Sequence, residues 1–189
     1  MSAPADPEVL VFDDAAGWER WLDEHHATSG GVFVRIAKKG APQPSLTIRE
    51  ALEAALCFGW IDSVRRGLDE HHYLQRYSPR RAGSAWSKVN VEMVAALTEA
   101  GRMRPSGLAQ VEAARADGRW DAAYAPQREA TVPLELAADP DAAAAFEALG
   151  RSARYAVLLP VLKARTPQTK AARAAQAVAV LRGGRPRER

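Results

Sequence analysis

Strand periodicity in this chain ends at residue 79, and the regular patterns beyond it are helical. Val32, Val34 and Ile36 alternate with Phe33 and Arg35, the two-residue period of a pleated strand. WIDSV at 60–64 and HHYLQRYS at 71–78 read as the arms of a hairpin, with RRGLDE turning the chain at Gly67. A short β-like run, VLVF, lies at 9–12. Two helical patterns interrupt these strands. Asp13 or Asp14 can cap a helix carrying Trp18, Trp21, Leu22 and His25 at i, i+3, i+4 and i+7, broken by Ser29-Gly30-Gly31. Thr47 and Glu50 have the spacing of a capping box ahead of Ile48, Ala51, Leu52, Ala55 and Leu56, with Gly59 as the stop. The order is β-α-β-α-β-β, with the loop KKGAPQPS at 38–45 between the second strand and second helix. Strands gathered in one part of a chain and helices in the other indicate an α+β fold.

From Ser84 the signals are helical. Ser84 or Ser87 can cap a helix through Val89, Met93, Ala96 and Leu97, ended by Gly101. Ser106 is expected to cap the next, with Leu108, Val111 and Ala114 inward; GRWDAAYAP at 118–126 is a turn with aromatic anchors. Residues 127–139, with Pro133 among them, match no single pattern. Asp139-Pro140 opens a helix that stops at Gly150. Ser152 is expected to cap the following one, which Pro160 should kink or shorten. Thr166-Pro167 opens a last helix to about Leu181. The reading gives an α+β domain over 1–90 carrying the candidate site, a helical region over 91–182 and a frayed tail over 183–189.

Charge is unevenly distributed. Residues 1–149 hold 16 Lys and Arg against 22 Asp and Glu, a net of −6, whereas residues 150–189 hold 10 against one, a net of +9. The C-terminal stretch KARTPQTKAARAAQAVAVL (163–181) is a basic amphipathic helix. Its Lys163, Arg165, Lys170 and Arg173 lie opposite Ala174, Ala177, Val178 and Leu181. Such a helix could meet an acidic partner, a nucleic acid or a membrane surface, or dock on the chain itself. It has no interleaved aromatics for base stacking, which argues against nucleic acid. No apolar run approaches the length of a membrane span, and MSAPADPEVLVF lacks the basic and apolar regions of a secretory leader. One cysteine cannot form an internal disulfide, so a reducing cytoplasm is expected.

The polar and aromatic residues of the hairpin and the segment after it are where chemistry could reside. An Asp62–Arg76 pair is one arrangement and Asp62 facing the tyrosines another, because register is not set by sequence. Arg80, Arg81, Ser84, Ser87 and Lys88 run into a helix N-terminus, where amides and guanidinium forks suit an anion. The candidate ligand-binding set is Trp60, Asp62, Tyr73, Arg76, Arg80, Trp86, Ser87 and Lys88. A second reading is an enzyme with Asp62 as general base or Cys57 as nucleophile. Cys57, at a helix C-terminus, sits where the dipole disfavours a thiolate. The paired histidines His25-His26 and His71-His72 have no metal-ligand spacing, and no phosphate loop, nucleophile elbow or zinc motif is present. No metal or cofactor is expected.

The motifs ALCFGWIDS (55–63), LQRYSPRR (74–81), SAWSKVN (84–90), GRMRPSGL (101–108), ADGRWDAAY (116–124) and KARTPQTKAARAAQAV (163–178) together resemble the YdeI/OmpD-associated family of small bacterial proteins. That resemblance implies protection against bacteriocins or envelope stress, exerted from the cytoplasm; the Asp62, Arg76, Arg80, Trp86 and Lys88 cluster adds the expectation that it acts by binding a small anionic ligand or a protein partner. The resemblance names no reaction and supplies no catalytic residue.

Overall fold

The computed structural model describes residues 8–42 and 45–183. Residues 1–7, two residues of the 38–45 loop and the tail from 184 lie outside the described residues. Two compact units emerge. The first holds the described residues up to Ser84 together with Asn90–Trp120, and the second holds Ala85–Val89 and the residues from Asp121 onward. The residues over 90–120 therefore group with the sheet.

The first unit is a mixed four-stranded sheet with helices, as the α+β reading requires. Its elements are β1 (Val9–Leu10), α1 (Ala15–His25), β2 (Val32–Ala37), α2 (Ile48–Cys57), β3 (Trp60–Gly67), β4 (His72–Pro79), all of α3 (Lys88–Glu99) but its first two residues, and α4 (Pro105–Ala116). The sheet order is β1-β2-β4-β3, with β1 parallel to β2 and the other pairs antiparallel. β1 is only two residues long, shorter than the VLVF run. β3 runs on through Arg65, Arg66 and Gly67, so the turn lies one step later than expected. Asp69 makes it, accepting the amides of His71 at 2.8 Å and His72 at 2.7 Å.

Sequence signals explain most of the helix ends. The Asp14 carboxylate accepts the Gly17 amide at α1, and Thr47 and Glu50 close a complete capping box at α2. Gly59, at φ +76°, supplies the left-handed residue that stops α2 before β3 begins. The start of α4 differs from expectation. Arg104 occupies the cap position and Pro105 the first helical one, which leaves Ser106 inside the helix with a buried, unpartnered hydroxyl. α3 begins at Lys88.

The core of this unit lies between the helices and one face of the sheet. Trp18 stacks on Trp21 at 5.3 Å and meets Trp60 edge-on at 6.4 Å and Tyr77 at 5.6 Å. Its indole nitrogen donates to the Ala51 carbonyl at 3.0 Å, while that of Trp60 donates to the His26 carbonyl at 3.1 Å. The two indoles thus bury large apolar area and satisfy their polar ends on neighbouring backbone. α4 packs on α2 through Gly107, where an added Cβ would come within 2.2 Å of the Cys57 carbonyl oxygen.

The second unit is helical. A 3₁₀ turn at Gln127–Glu129 leads to α5 (Leu134–Ala137), α6 (Pro140–Glu147), α7 (Arg151–Leu162) and α8 (Pro167–Leu181). Leu136, Ala142, Phe146 and Leu158 form its core, joined by Leu162, Val178 and Leu181. Asp139 caps α6 by accepting the Ala142 amide and Thr166 caps α8 by accepting the Thr169 amide, whereas Pro133 stands at the cap position of α5 without a side-chain bond. Gly150, not Ser152, occupies the cap of α7, and that helix passes through Pro160 to end two residues later. On α8, Ala174 and Ala177 are buried while Lys170 and Arg173 are exposed, the amphipathic division expected. Among the described residues no helix is long and apolar enough to cross a membrane.

Candidate functional site: an arginine face on the sheet

Strand register decides where the hairpin residues point. Asp62 pairs with Tyr77, and Tyr77 with Val32; Arg65 pairs with Gln75, and Gln75 with Val34. Directly paired residues share a face. Asp62, Arg65, Tyr73, Gln75 and Tyr77 therefore stand on the helix-covered side with Trp60, and the arrangement with Asp62 facing the tyrosines is the one formed. Arg76 pairs with Phe33 and projects from the opposite side, so the Asp62–Arg76 pair is not made.

Between Asp62 and Arg65 the register slips by one residue, a β-bulge. Gln75, only 2% exposed, holds it: its amide donates to the Val64 carbonyl at 3.3 Å and its oxygen accepts from Arg65 Nε at 3.2 Å. Arg65 also lies over the Tyr73 ring at 4.4 Å. The bulge reverses the alternation of everything after it. Without it Arg66 would share the face of Asp62; with it Arg66 pairs with Leu74 and joins Arg76 on the outer side. Leu74 pairs on its other flank with Arg35.

The outer face thus gathers Arg35, Arg66 and Arg76 from three neighbouring strands. Arg66 rests over the Phe33 ring at 4.8 Å. Arg76 folds toward Gly31, where a Cβ would lie 3.2 Å from a guanidinium nitrogen, 2.9 Å from Ser78 Cβ and 2.8 Å from the Tyr77 carbonyl oxygen. Gly31, at φ +126°, gives both the turn into β2 and the room for that side chain. The Nε atoms of Arg35 and Arg76 are buried without an acceptor. Among the described residues none of the three arginines has an ion-pair partner. Buried donors left unmet are uncommon in folded proteins, and guanidinium forks match phosphate and carboxylate geometry.

The remaining expected residues scatter. Trp60 is 1% exposed and belongs to the core. Tyr73 lies under Arg65, and burial pushes its hydroxyl pKa up. Tyr77 is fully buried with an unpartnered hydroxyl. Desolvation, and after it the Asp62 charge, drives its ionisation far above the ordinary range. Arg80 is buried, and its amide donates to the Gly59 carbonyl at 3.0 Å. Trp86, Ser87 and Lys88 belong to the second unit. There Ser87 bridges to Tyr124, the Lys88 amide donates to the Tyr124 carbonyl at 3.0 Å, and the Lys88 ammonium reaches Glu129 at 3.5 Å. Of the expected set, Arg76 is the member on the outer face. Arg35 and Arg66 join it there without having been expected. Arg35 alternates visibly with Val34 and Ile36, but Arg66 depends on the bulge.

Cys57 is 3% exposed, and burial pushes its thiol up to about 11; Arg102 and Arg104 pull it down less than burial raises it. It lines a small cavity of about 180 Å³ with Glu19, Phe58, Gly101, Arg102 and Arg104. Arg102 is occupied there, reaching Glu19 at 2.6 Å and Glu53 at 3.3 Å. Among the described residues no group of three His, Cys, Asp or Glu side chains is placed to hold a metal ion.

Residues 10–110, more than half of the chain and all of the sheet but its first residue, match the model of a domain of unknown function (DUF8412). The chain belongs to that family. Residues 129–184 match a second model, described as Bacteriocin-protection, YdeI or OmpD-Associated. The resemblance to that family therefore holds over the C-terminal helices, including the 163–178 motif. The motifs at 55–63, 74–81, 84–90 and 101–108 fall within the DUF8412 match, and 116–124 lies between the two. No curated protein and no solved structure matches the chain.

Proposed function

We propose that this is a protective protein of the bacteriocin-protection, YdeI or OmpD-associated type that acts in the cytoplasm by binding a small anionic ligand, without catalysis. The match over 129–184 supports the family side of the reading. One observation carries the ligand side: Arg76 and Arg35 share a sheet face, with inner guanidinium nitrogens buried and unmet. An anion supplies the acceptors those donors lack and neutralises charge that, among the described residues, no carboxylate pairs with. Cys57 does not favour an enzyme, because a thiol held protonated at neutral pH is a poor nucleophile.

A thermal-shift screen of anionic metabolites tests the reading. At least one is expected to raise the melting temperature of the wild-type protein, and the rise is expected to vanish in Arg76→Ala. Unchanged melting with every anion would remove the reading, as would a shift that Arg76→Ala leaves intact.

A further inference from the structure

We infer that the outer sheet face is built for a compact polyanion, a ligand with two or more negative charges on phosphate or carboxylate groups, and that Arg66 is a movable third arm of the site. This rests on the anion-binding reading and adds the ligand's charge and the role of Arg66.

The argument starts from charge. Three permanent cations stand on one face, and a monoanion would balance only one of them. Their placement favours a single ligand over three separate ones. Arg35 and Arg66 flank the same residue, Leu74, on its two sides, so their Cα atoms are about 10 Å apart by ordinary strand spacing. Arg76 is two residues along β4, on the same face. Side chains as long as arginine converge over such a distance.

The three are not equivalent. Arg35 and Arg76 are half-buried with their Nε atoms out of solvent, which fixes the direction of each fork. Arg66 is exposed, and its one contact of note is the face of the Phe33 ring. A cation resting on a ring is weakly held. A second negative group arriving beside Arg35 and Arg76 offers it charge-assisted hydrogen bonds, which are stronger. Phe33, 2% exposed, remains as the apolar floor. The bulge at 63–64 has a purpose in this arrangement. It is the device that brings Arg66 to this face, and a buried glutamine is committed to holding it.

Calorimetric titration of the full chain at fixed ionic strength with acetate, pyrophosphate and citrate tests this. Pyrophosphate or citrate is expected to bind at least tenfold more tightly than acetate. Whichever of the two does so marks the ligand as phosphate or carboxylate in kind. Arg66→Gln should weaken the polyanion about tenfold, as loss of one charge-assisted contact implies, and leave acetate unchanged. Arg66→Lys should recover part of the loss. Melting temperatures without ligand check that the variants are folded. Equal affinities for acetate and the polyanions, or an Arg66→Gln protein that binds pyrophosphate and citrate as the wild type does, would overturn the inference while anion binding stands. Binding by the wild type that Arg76→Gln leaves unchanged, or no binding of any anion, would overturn the anion reading itself.

Discussion

Replacing Gly107 with alanine should destabilise the first unit, although alanine is the better helix former. Gly107 lies in the first turn of α4, where the exchange on propensity alone favours folding by up to about 1 kcal/mol. Packing opposes it. The new Cβ would stand 2.2 Å from the Cys57 carbonyl oxygen, 2.8 Å from its carbon and 2.9 Å from the Leu56 oxygen. All three are backbone atoms at the end of α2, so no side chain can swing away. The Cys57 carbonyl also accepts the Arg104 amide at 3.0 Å, which ties the two helices together at that point. Overpacking costs about 1–3 kcal/mol, and immovable neighbours place this case at the upper end. The net expectation is about 2 kcal/mol lost, or roughly 5–10 °C in melting temperature. Ser106→Ala, one residue earlier, is the control. It removes a buried hydroxyl without a partner, so stability should hold or rise by up to about 1 kcal/mol. Urea denaturation followed by tryptophan fluorescence reads both. A Gly107→Ala protein as stable as the wild type would refute the close approach of α4 to α2.

Two further substitutions follow from the same unit. Thr47→Ala should cost about 1 kcal/mol at neutral pH by opening the α2 capping box. The Thr47 hydroxyl, and then its amide, hold the Glu50 carboxyl below its ordinary value. The contribution is therefore present above the unfolded value near 4.5 and is lost as pH falls through the lower folded value, so the difference between mutant and wild type should shrink in acid. Denaturation curves at pH 7 and pH 3 would show it, and a difference that grows in acid would contradict the cap. Cys57 should resist an aromatic disulfide reagent at pH 8 until denaturant opens the fold, and Cys57→Ser should bind anions as the wild type does. Rapid native labelling, or loss of binding in the serine variant, would point to a working thiol.

The fold was more legible in the sequence than the site, and the reason is one of range. Local chemistry announces itself: Thr47 and Glu50 three apart, Asp14 before Gly17, Pro167 after Thr166, and Gly59 at a helix end are signals confined to a few residues. So the α+β order and most helix starts could be read directly. The errors at Ser106 and Ser152 have a common cause. Serine is a good cap, but Pro105 at the first helical position and Gly150 ahead of Arg151 fix the boundaries two residues earlier. The site is different because it depends on pairing between strands. Simple alternation assigns Arg66 to the side of Asp62. The bulge, set by how β3 meets β4 and held by Gln75, sends it to the other. Likewise Trp60 and Trp86 carry aromatic rings suited to a pocket wall, but burial at 1% and 2% commits them to packing. Arg76 could be singled out as a candidate from the sequence; the company it keeps on the sheet could not.

The central claim is that anions bind at the outer sheet face through Arg35 and Arg76. The most direct measurement follows the arginine Nε–H signals by nuclear magnetic resonance during titration with pyrophosphate, assigned by single Arg→Lys replacements. The expected result is saturable movement of the Arg35 and Arg76 signals, with Arg66 following and Arg102, already held by Glu19 and Glu53, staying still. Saturable shifts confined to Arg80, Arg81 or the arginines of α7 and α8, or no saturable shift at all, would contradict it.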